Sequence, residues 1–202
     1  MGVENINISV GLPPSAAVRV AGLYFDIFPR KLGLMLGRQI GPAMIADHLN
    51  TNRIIVAREG DEIVGIAGLK YDGAGLFTPD RRGFLKHYGP LVGRVRAELW
   101  ASVQTNPRPH QLLLDGLGVL SDRRGCGIGT ALLKAVDERA RELGKTEVIL
   151  EVVDTNHRAK ALYERFGYRI VHTTRRLMFR LAGFSAAYLM LRKLPEAFTP
   201  RD

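Results

Sequence analysis

Between Leu112 and Leu143 the chain passes from an apolar run, LLLDGLGV, through a short polar loop and a glycine-alternating turn, RRGCGIG, into a long amphipathic stretch, TALLKAVDERAREL. Strand, tight turn and helix in that order lead back to the sheet by a crossover to a parallel neighbour. The next apolar run, Thr146 to Val153, reads as that neighbour. One parallel crossover among hairpin-connected strands predicts a mixed α/β sandwich.

The turn carries the chemistry. Gly125, Gly127 and Gly129 alternate with Cys126 and Ile128, so consecutive N–H groups can approach a ligand with no Cβ in the way. The helix is expected to start at about Gly127. Its unpaired first amides and positive dipole end then point to the same place, with Arg123 and Arg124 beside them. That pattern suits a di- or triphosphate. No G-K-[ST] follows the glycines, which excludes the phosphate loop of nucleotide hydrolases; Thr130 alone does not replace the missing lysine and hydroxyl. Thr130 also stands where the last glycine of G-x-G-x-x-G belongs, so the dinucleotide fingerprint is incomplete.

Arg124, Gly127 and Gly129 do fit R-x-x-G-x-G behind an apolar strand ending in Val119. This resembles the acetyl-CoA-binding signature of the GNAT superfamily of N-acetyltransferases. A second segment, LEVVDTNHRAKALYERFGY, is similar to the other recurring signature of that family, N-x-x-A-x-x-L-Y-x-x-x-G-[FY], across Asn156, Ala159, Leu162, Tyr163, Gly167 and Tyr168. The motifs cover Leu112 to Tyr168; outside them the likeness rests on element order.

The resemblance implies a mostly antiparallel central sheet with a splayed fourth and fifth strand and flanking helices. It implies acetyl-CoA as co-substrate. The pyrophosphate contacts would fall on Arg124, Gly125, Cys126, Gly127, Ile128, Gly129 and Thr130, and pantetheine would lie along Leu117, Gly118 and Val119. Asn156 either caps the short helix that follows it or bonds an amide of the pantetheine arm. Tyr163, seven residues on and on the same helix face, is the expected general acid for the leaving thiolate; packing under its helix is the plainer reading. Two carboxylates compete as base. Glu151 precedes Tyr163 by twelve residues, as in enzymes resembling the ribosomal-protein N-terminal acetyltransferases, and its apolar run predicts desolvation and a raised pKa. Asp115, four positions before Val119, matches the carboxylate of polyamine-type acetyltransferases. Either can instead bind a cationic acceptor, with water as base.

Elsewhere the elements follow from periodicity. Ile6, Ile8 and Val10 alternate as a half-buried strand ending before Pro13. Ser15 is the expected N-cap of a helix from Ala16 to about Phe28, with Val18, Ala21, Phe25 and Phe28 on its apolar side and Pro29 as interruption. A further helical piece follows Pro42. In the family resembled these helices border the acceptor groove, so Tyr24, Phe25 and Phe28 either line it or pack the helix onto the sheet. Arg53–Ala57 and Glu62–Leu69 read as a hairpin around Gly60. Residues 70–110 are long for a connection. Within them Phe84, Leu85, Tyr88, Leu91, Val92, Val95, Leu99 and Val103 give a helical stripe, broken at Gly89-Pro90 and anchored by Trp100. Arg81, Arg82, Lys86, Arg94 and Arg96 form the opposite face. This helical insertion reads as a cover over the acceptor mouth, a subunit contact implying a homodimer, or a solvated basic face. Tyr168–His172 and Ala186–Lys193 read as closing strands, where Arg175, Arg176, Arg180, Arg192 and Lys193 have no acid nearby in sequence.

Length and charge set the outer bounds. The 202 residues suit one domain, 1–202. Lys and Arg exceed Asp and Glu by 29 to 20, a formal +9, which recruits a polyanion such as coenzyme A without any nucleic acid, and none is expected. No run of about 18 apolar residues and no signal-like start is present, so no membrane partner is expected. The one cysteine, Cys126, forms no internal disulfide and offers its main chain to the turn; the cytoplasm is the expected address. Histidine and cysteine spacing predicts no metal. His157, Arg158 and Lys160 either meet a phosphate or face solvent. The expected function is acetyl transfer to a primary amine, either a small molecule or a protein N-terminus or lysine, by direct attack in a ternary complex. A non-catalytic acyl-CoA-binding regulatory module is the alternative.

Overall fold

A computed structural model describes residues 5–176, 179–180 and 183–195. The two ends of the 1–202 domain reading, 1–4 and 196–202, lie outside the described residues. The strands are β1 (Ile6–Val10), β2 (Ile54–Glu59), β3 (Glu62–Lys70), β4 (Gln111–Val119), β5 (Glu147–Val153), β6 (Arg169–Thr174) and β7 (Ala187–Lys193). They form a 7-stranded sheet in the order β1-β2-β3-β4-β5-β7-β6. Every pairing is antiparallel except β4 with β5, which the helix α6 (Ile128–Glu142) connects.

Both faces of the sheet are covered, so its strands are nearly continuous in apolar residues. With α7 (His157–Arg165), α6 packs on one face, where Ile128, Leu132, Leu133, Val136 and Tyr163 meet Ile55, Ala57, Leu112, Leu114, Val148 and Leu150. The other face carries α1 (Ala17–Ile27), α2 (Pro29–Leu36), α3 (Gly41–Asp47), α4 (Arg81–Tyr88) and α5 (Pro90–Ser102). Val20, Tyr24, Phe25, Met44, Phe84 and Trp100 there meet Ile54, Val56 and Ile66. The period-two alternation of β2, Ile54 and Val56 one way and Ile55 and Ala57 the other, separates the two cores.

The splay has a local cause. Along β5, β4 pairs from Gln111 opposite Glu147 to Leu114 opposite Leu150, and the ladder ends there. On the other edge Leu69 faces Leu114 but Ala67 already faces Leu117. Asp115 and Gly116 therefore oppose Gly68 alone, a β-bulge with Gly116 at φ +108°. Such an extra residue bends its strand and increases the twist, and the bend falls where β4 leaves β5. It also shifts the alternation, so that Leu117 returns to the core that Leu114 faces.

Several local expectations change. Ser15 sits inside a 3₁₀ turn, Pro14–Ala16, and no side chain caps α1. Pro29 does not end the helical region but occupies the first turn of α2, where a missing N–H costs nothing. Val18 faces solvent, and α1 buries Val20, Ala21, Tyr24 and Phe25 instead. In the insertion, the predicted stripe is only partly covered: Phe84 and Trp100 are buried, whereas Leu91, Val92 and Val95 are exposed. Arg96, placed on the basic face from the sequence, turns inward. Its Nη1 donates to the Met35 carbonyl, and its guanidinium lies 4.8 Å over the Tyr88 ring. Close packing of α4 on α5 depends on Gly93, where a Cβ would come 2.6 Å from the Phe84 carbonyl oxygen. Arg192 does have an acid: it forms an ion pair with Asp137 of α6, a buried carboxylate.

Candidate functional site

The glycine turn precedes α6 as the sequence implies. After the 3₁₀ turn Ser121–Arg123, Gly125 and Gly127 take φ +88° and +82°, left-handed values that side chains with a Cβ adopt only with strain. Gly127 is the N-cap and α6 begins at Ile128, one residue later than expected. Ile128 and Leu132 plunge into the core, which leaves the amides ahead of them at the surface. The first N–H groups of a helix lack the regular intrahelical acceptor; of those at the start of α6, the Thr130 N–H donates to the Gly127 carbonyl at 3.0 Å. Gly129 serves packing: a Cβ there would lie 3.1 Å from Leu162 Cδ2, so its absence lets the starts of α6 and α7 meet.

Cations sort themselves around this turn. Arg123 is neutralised by Glu59 and Asp122, each at 2.7 Å. Arg124 is exposed and its Nε donates to the Val119 carbonyl at 3.1 Å, tying the turn to the end of β4. From α7, Arg158 Nη2 lies 4.0 Å from where a Gly125 Cβ would be. Lys160 is engaged with Glu164 at 2.8 Å and sits over the Tyr188 ring. Exposed amides, two arginines and glycines without Cβ atoms make a donor set that fits a diphosphate.

From that turn a groove leads back along β4. Past Leu114 no strand pairs with the β5-facing edge of β4 among the described residues, so the segment Leu117, Gly118 and Val119 offers its backbone to a ligand. Ile27 covers Gly118 from the α1 side so closely that a Cβ there would overlap it.

Asn156 Oδ1 accepts from the Ala159 N–H at 3.2 Å and so caps α7. Tyr163 follows on α7, 6% exposed, with its ring edge-on to Tyr168 at 5.9 Å between centroids. Burial pushes its phenol from 10.0 up to about 12, so it carries its proton throughout the neutral range. Burial likewise raises Tyr24 and Tyr168, helped in the first by the Asp115 charge and in the second by Tyr163. A folded-state pKa raised above the unfolded value stabilises the fold below the unfolded pKa and stops doing so as pH rises through the folded one. Unfolding free energy is therefore expected to fall between pH 10 and about 12, and denaturant titrations across that window should show a shallower fall in Tyr163→Phe.

On the opposite face the two carboxylates flank the gap. Asp115 and Glu151 are each the first residue past the last β4–β5 pair. Tyr24 Oη donates to the Asp115 carbonyl at 3.2 Å, and Phe28 packs on Tyr24 at 5.0 Å between centroids. A Gly116 Cβ would come 3.0 Å from Phe28, so α1 lines the opening with Tyr24 and Phe28. Phe25 does not join them, because it packs under α3 against Gly41. The expectation that Glu151 is desolvated fails: its side chain is exposed, and its buried neighbours Leu150 and Val152 point to the other face. Thr105 Oγ1 donates to Glu151 Oε1 at 2.6 Å, a contact that no sequence period signals. Tyr163 thus lies in the core on the face of the sheet that carries α6 and α7, and Glu151 on the face that carries α1.

The profile of the acetyltransferase (GNAT) family matches residues 36–168, well over half the chain. The chain is similar to N-acetyltransferase family 8 member 2 of Rattus norvegicus, 35% identical over 56% of this chain and 49% of that one. It is also similar to an uncharacterized N-acetyltransferase, YdgE, of Bacillus subtilis, 31% identical over 46% of this chain and 62% of that one. The chain spans about half the length of the curated relatives it matches. A Salmonella typhimurium protein, yncA, solved with its cofactor acetyl-CoA, shares the fold with TM-score 0.63 at 13% identity, over 98% of each chain.

Proposed function

The chain belongs to the acetyltransferase (GNAT) family, and from that premise we propose that it moves an acetyl group from acetyl-CoA to a primary amine within a ternary complex. The observation that carries the proposal is the juxtaposition of the exposed glycine turn at the head of α6 with the opening between β4 and β5. Bound acetyl-CoA supplies an activated acyl group, whose C–S bond breaks as the bond to the amine nitrogen forms.

The chain's residues do the rest. Amides from Gly125 to Thr130, including Cys126, with Arg124 and Arg158, hold the diphosphate, and the free edge of β4 at Leu117 to Val119 aligns the pantetheine arm. A main-chain N–H at Leu117 polarises the thioester carbonyl. Asn156 fixes the start of α7 and so the place of Tyr163. Glu151, or Asp115, takes the proton from the amine through water, and Tyr163 gives its proton to the departing thiolate. Tyr24 and Phe28 guide the acceptor, a small-molecule amine or a protein N-terminus or lysine. The single cysteine suits a reducing compartment, and we place the protein in the cytoplasm; among the described residues no helix is long and apolar enough to cross a membrane.

Thiol release from acetyl-CoA with a panel of amines tests the proposal. Release above the amine-free rate supports it; a thermal shift with coenzyme A and no release from any amine would point instead to a regulatory acyl-CoA-binding module. The two carboxylates separate by pH profile. Glu151→Gln is expected to abolish the acidic limb of kcat/KM, and Asp115→Asn to leave it in place; the reverse result would reassign the base to Asp115.

A further inference from the structure

Resting on the N-acetyltransferase reading, we propose that Thr105 is a positioning residue: its hydroxyl holds the Glu151 carboxylate at the opening between β4 and β5, so that the inserted helices set the aim of the proton acceptor. Glu151 is exposed, and a solvated glutamate spreads over several rotamers unless something fixes it. The bond from Thr105 is short, 2.6 Å, as expected for a hydroxyl donating to a charged oxygen. It engages Oε1, and the other carboxylate oxygen is the one that receives the proton in this proposal.

Such a bond positions its partner only if the donor is itself fixed, and Thr105 is. It is half-buried, and its β-branched side chain is stiff at χ1. The segment around it is pinned on both sides. Upstream, Trp100 meets Phe77 edge-on at 5.0 Å, Arg176 Nη1 donates to the Ser102 carbonyl at 3.3 Å, and Lys70 Nζ donates to Gln104 Oε1 at 3.2 Å. Downstream, the Arg108 N–H donates to Gln111 Oε1 at 3.1 Å, and Lys145 Nζ donates to the Pro109 carbonyl at 2.9 Å. The exit from α5 is thus braced on both sides of Thr105, which is its point of contact with β5.

Steady-state kinetics of Thr105→Val, Thr105→Ser, Glu151→Gln and the Thr105→Val/Glu151→Gln double variant test this, with melting temperatures and coenzyme A affinity measured alongside. Loss of the one hydrogen bond that fixes the carboxylate predicts that Thr105→Val lowers kcat about 10- to 100-fold. The KM for the amine should stay within about threefold, because the bond acts on the proton acceptor and not on ground-state binding. Serine should restore kcat to within about threefold of the unmodified protein. The double variant should be no slower than Glu151→Gln alone, since Thr105 acts through that carboxylate. Wild-type kcat in Thr105→Val, no rescue by serine, multiplicative losses in the double variant, or a kcat loss that only follows a fallen melting temperature would each overturn the positioning role. An unmodified protein silent towards every amine overturns both the role and the activity it rests on, which separates the two failures.

Discussion

Gly127→Val is expected to lower coenzyme A affinity about 100-fold or more, measured by titration calorimetry. Gly127 holds φ +82° at the N-cap of α6, and a β-branched residue there is strained by about 1–3 kcal/mol. A valine side chain also stands in front of amides that must reach the diphosphate, and breaking each charge-assisted hydrogen bond costs about 1.5–3 kcal/mol. Losing two such hydrogen bonds costs about 3 kcal/mol or more, or roughly two decades in affinity, whereas the backbone strain falls on the free and the bound protein alike. Gly60→Val is the matched control. Gly60 has φ +58° with no atom within 4 Å of its would-be Cβ, so it imposes comparable strain in the β2–β3 turn but should leave coenzyme A affinity unchanged. Equal losses in both variants would mean that strain on the fold, and not the turn itself, sets the affinity.

Tyr163→Phe is expected to lower kcat about 100- to 10,000-fold, the range for loss of a general acid. Coenzyme A affinity should stay within about twofold, because the phenol acts on the departing thiolate and not on the diphosphate. Phenylalanine keeps the edge-on contact with Tyr168 and removes only the hydroxyl, so the melting temperature should not fall. The raised phenol pKa, about 12, adds a second signature: no alkaline limb of kcat below about pH 11 should disappear in the variant. An unchanged kcat would return Tyr163 to a packing role.

Much of this arrangement is legible in the sequence because its signals are local. The glycine turn, the strand before it and the amphipathic helix after it are contiguous, and their geometry follows from missing Cβ atoms and apolar period. Asn156 as a helix cap and Gly167 at φ +99° after α7 are likewise fixed by neighbours. What escaped depends on the third dimension. A helical stripe says which residues share a face but not whether anything covers it, and Leu91, Val92 and Val95 remain exposed. Arg96 looks like a surface charge until its stem is seen to run inward over Tyr88. Glu151 sits in an apolar run, yet along a strand its neighbours point to the opposite face. Pro29 reads as a stop from one side and as a start from the other. Asp137, the partner of Arg192, and Thr105, the partner of Glu151, lie on other elements far away in sequence, and no spacing rule links them.

The most direct measurement is a crystal structure of the protein with coenzyme A bound. Diphosphate oxygens within hydrogen-bond reach of the amides from Gly125 to Thr130, with the sulfur in the β4–β5 opening beside the Tyr163 hydroxyl, are the expected result. Coenzyme A seated away from the start of α6, or a thiol that never enters that opening, would contradict it.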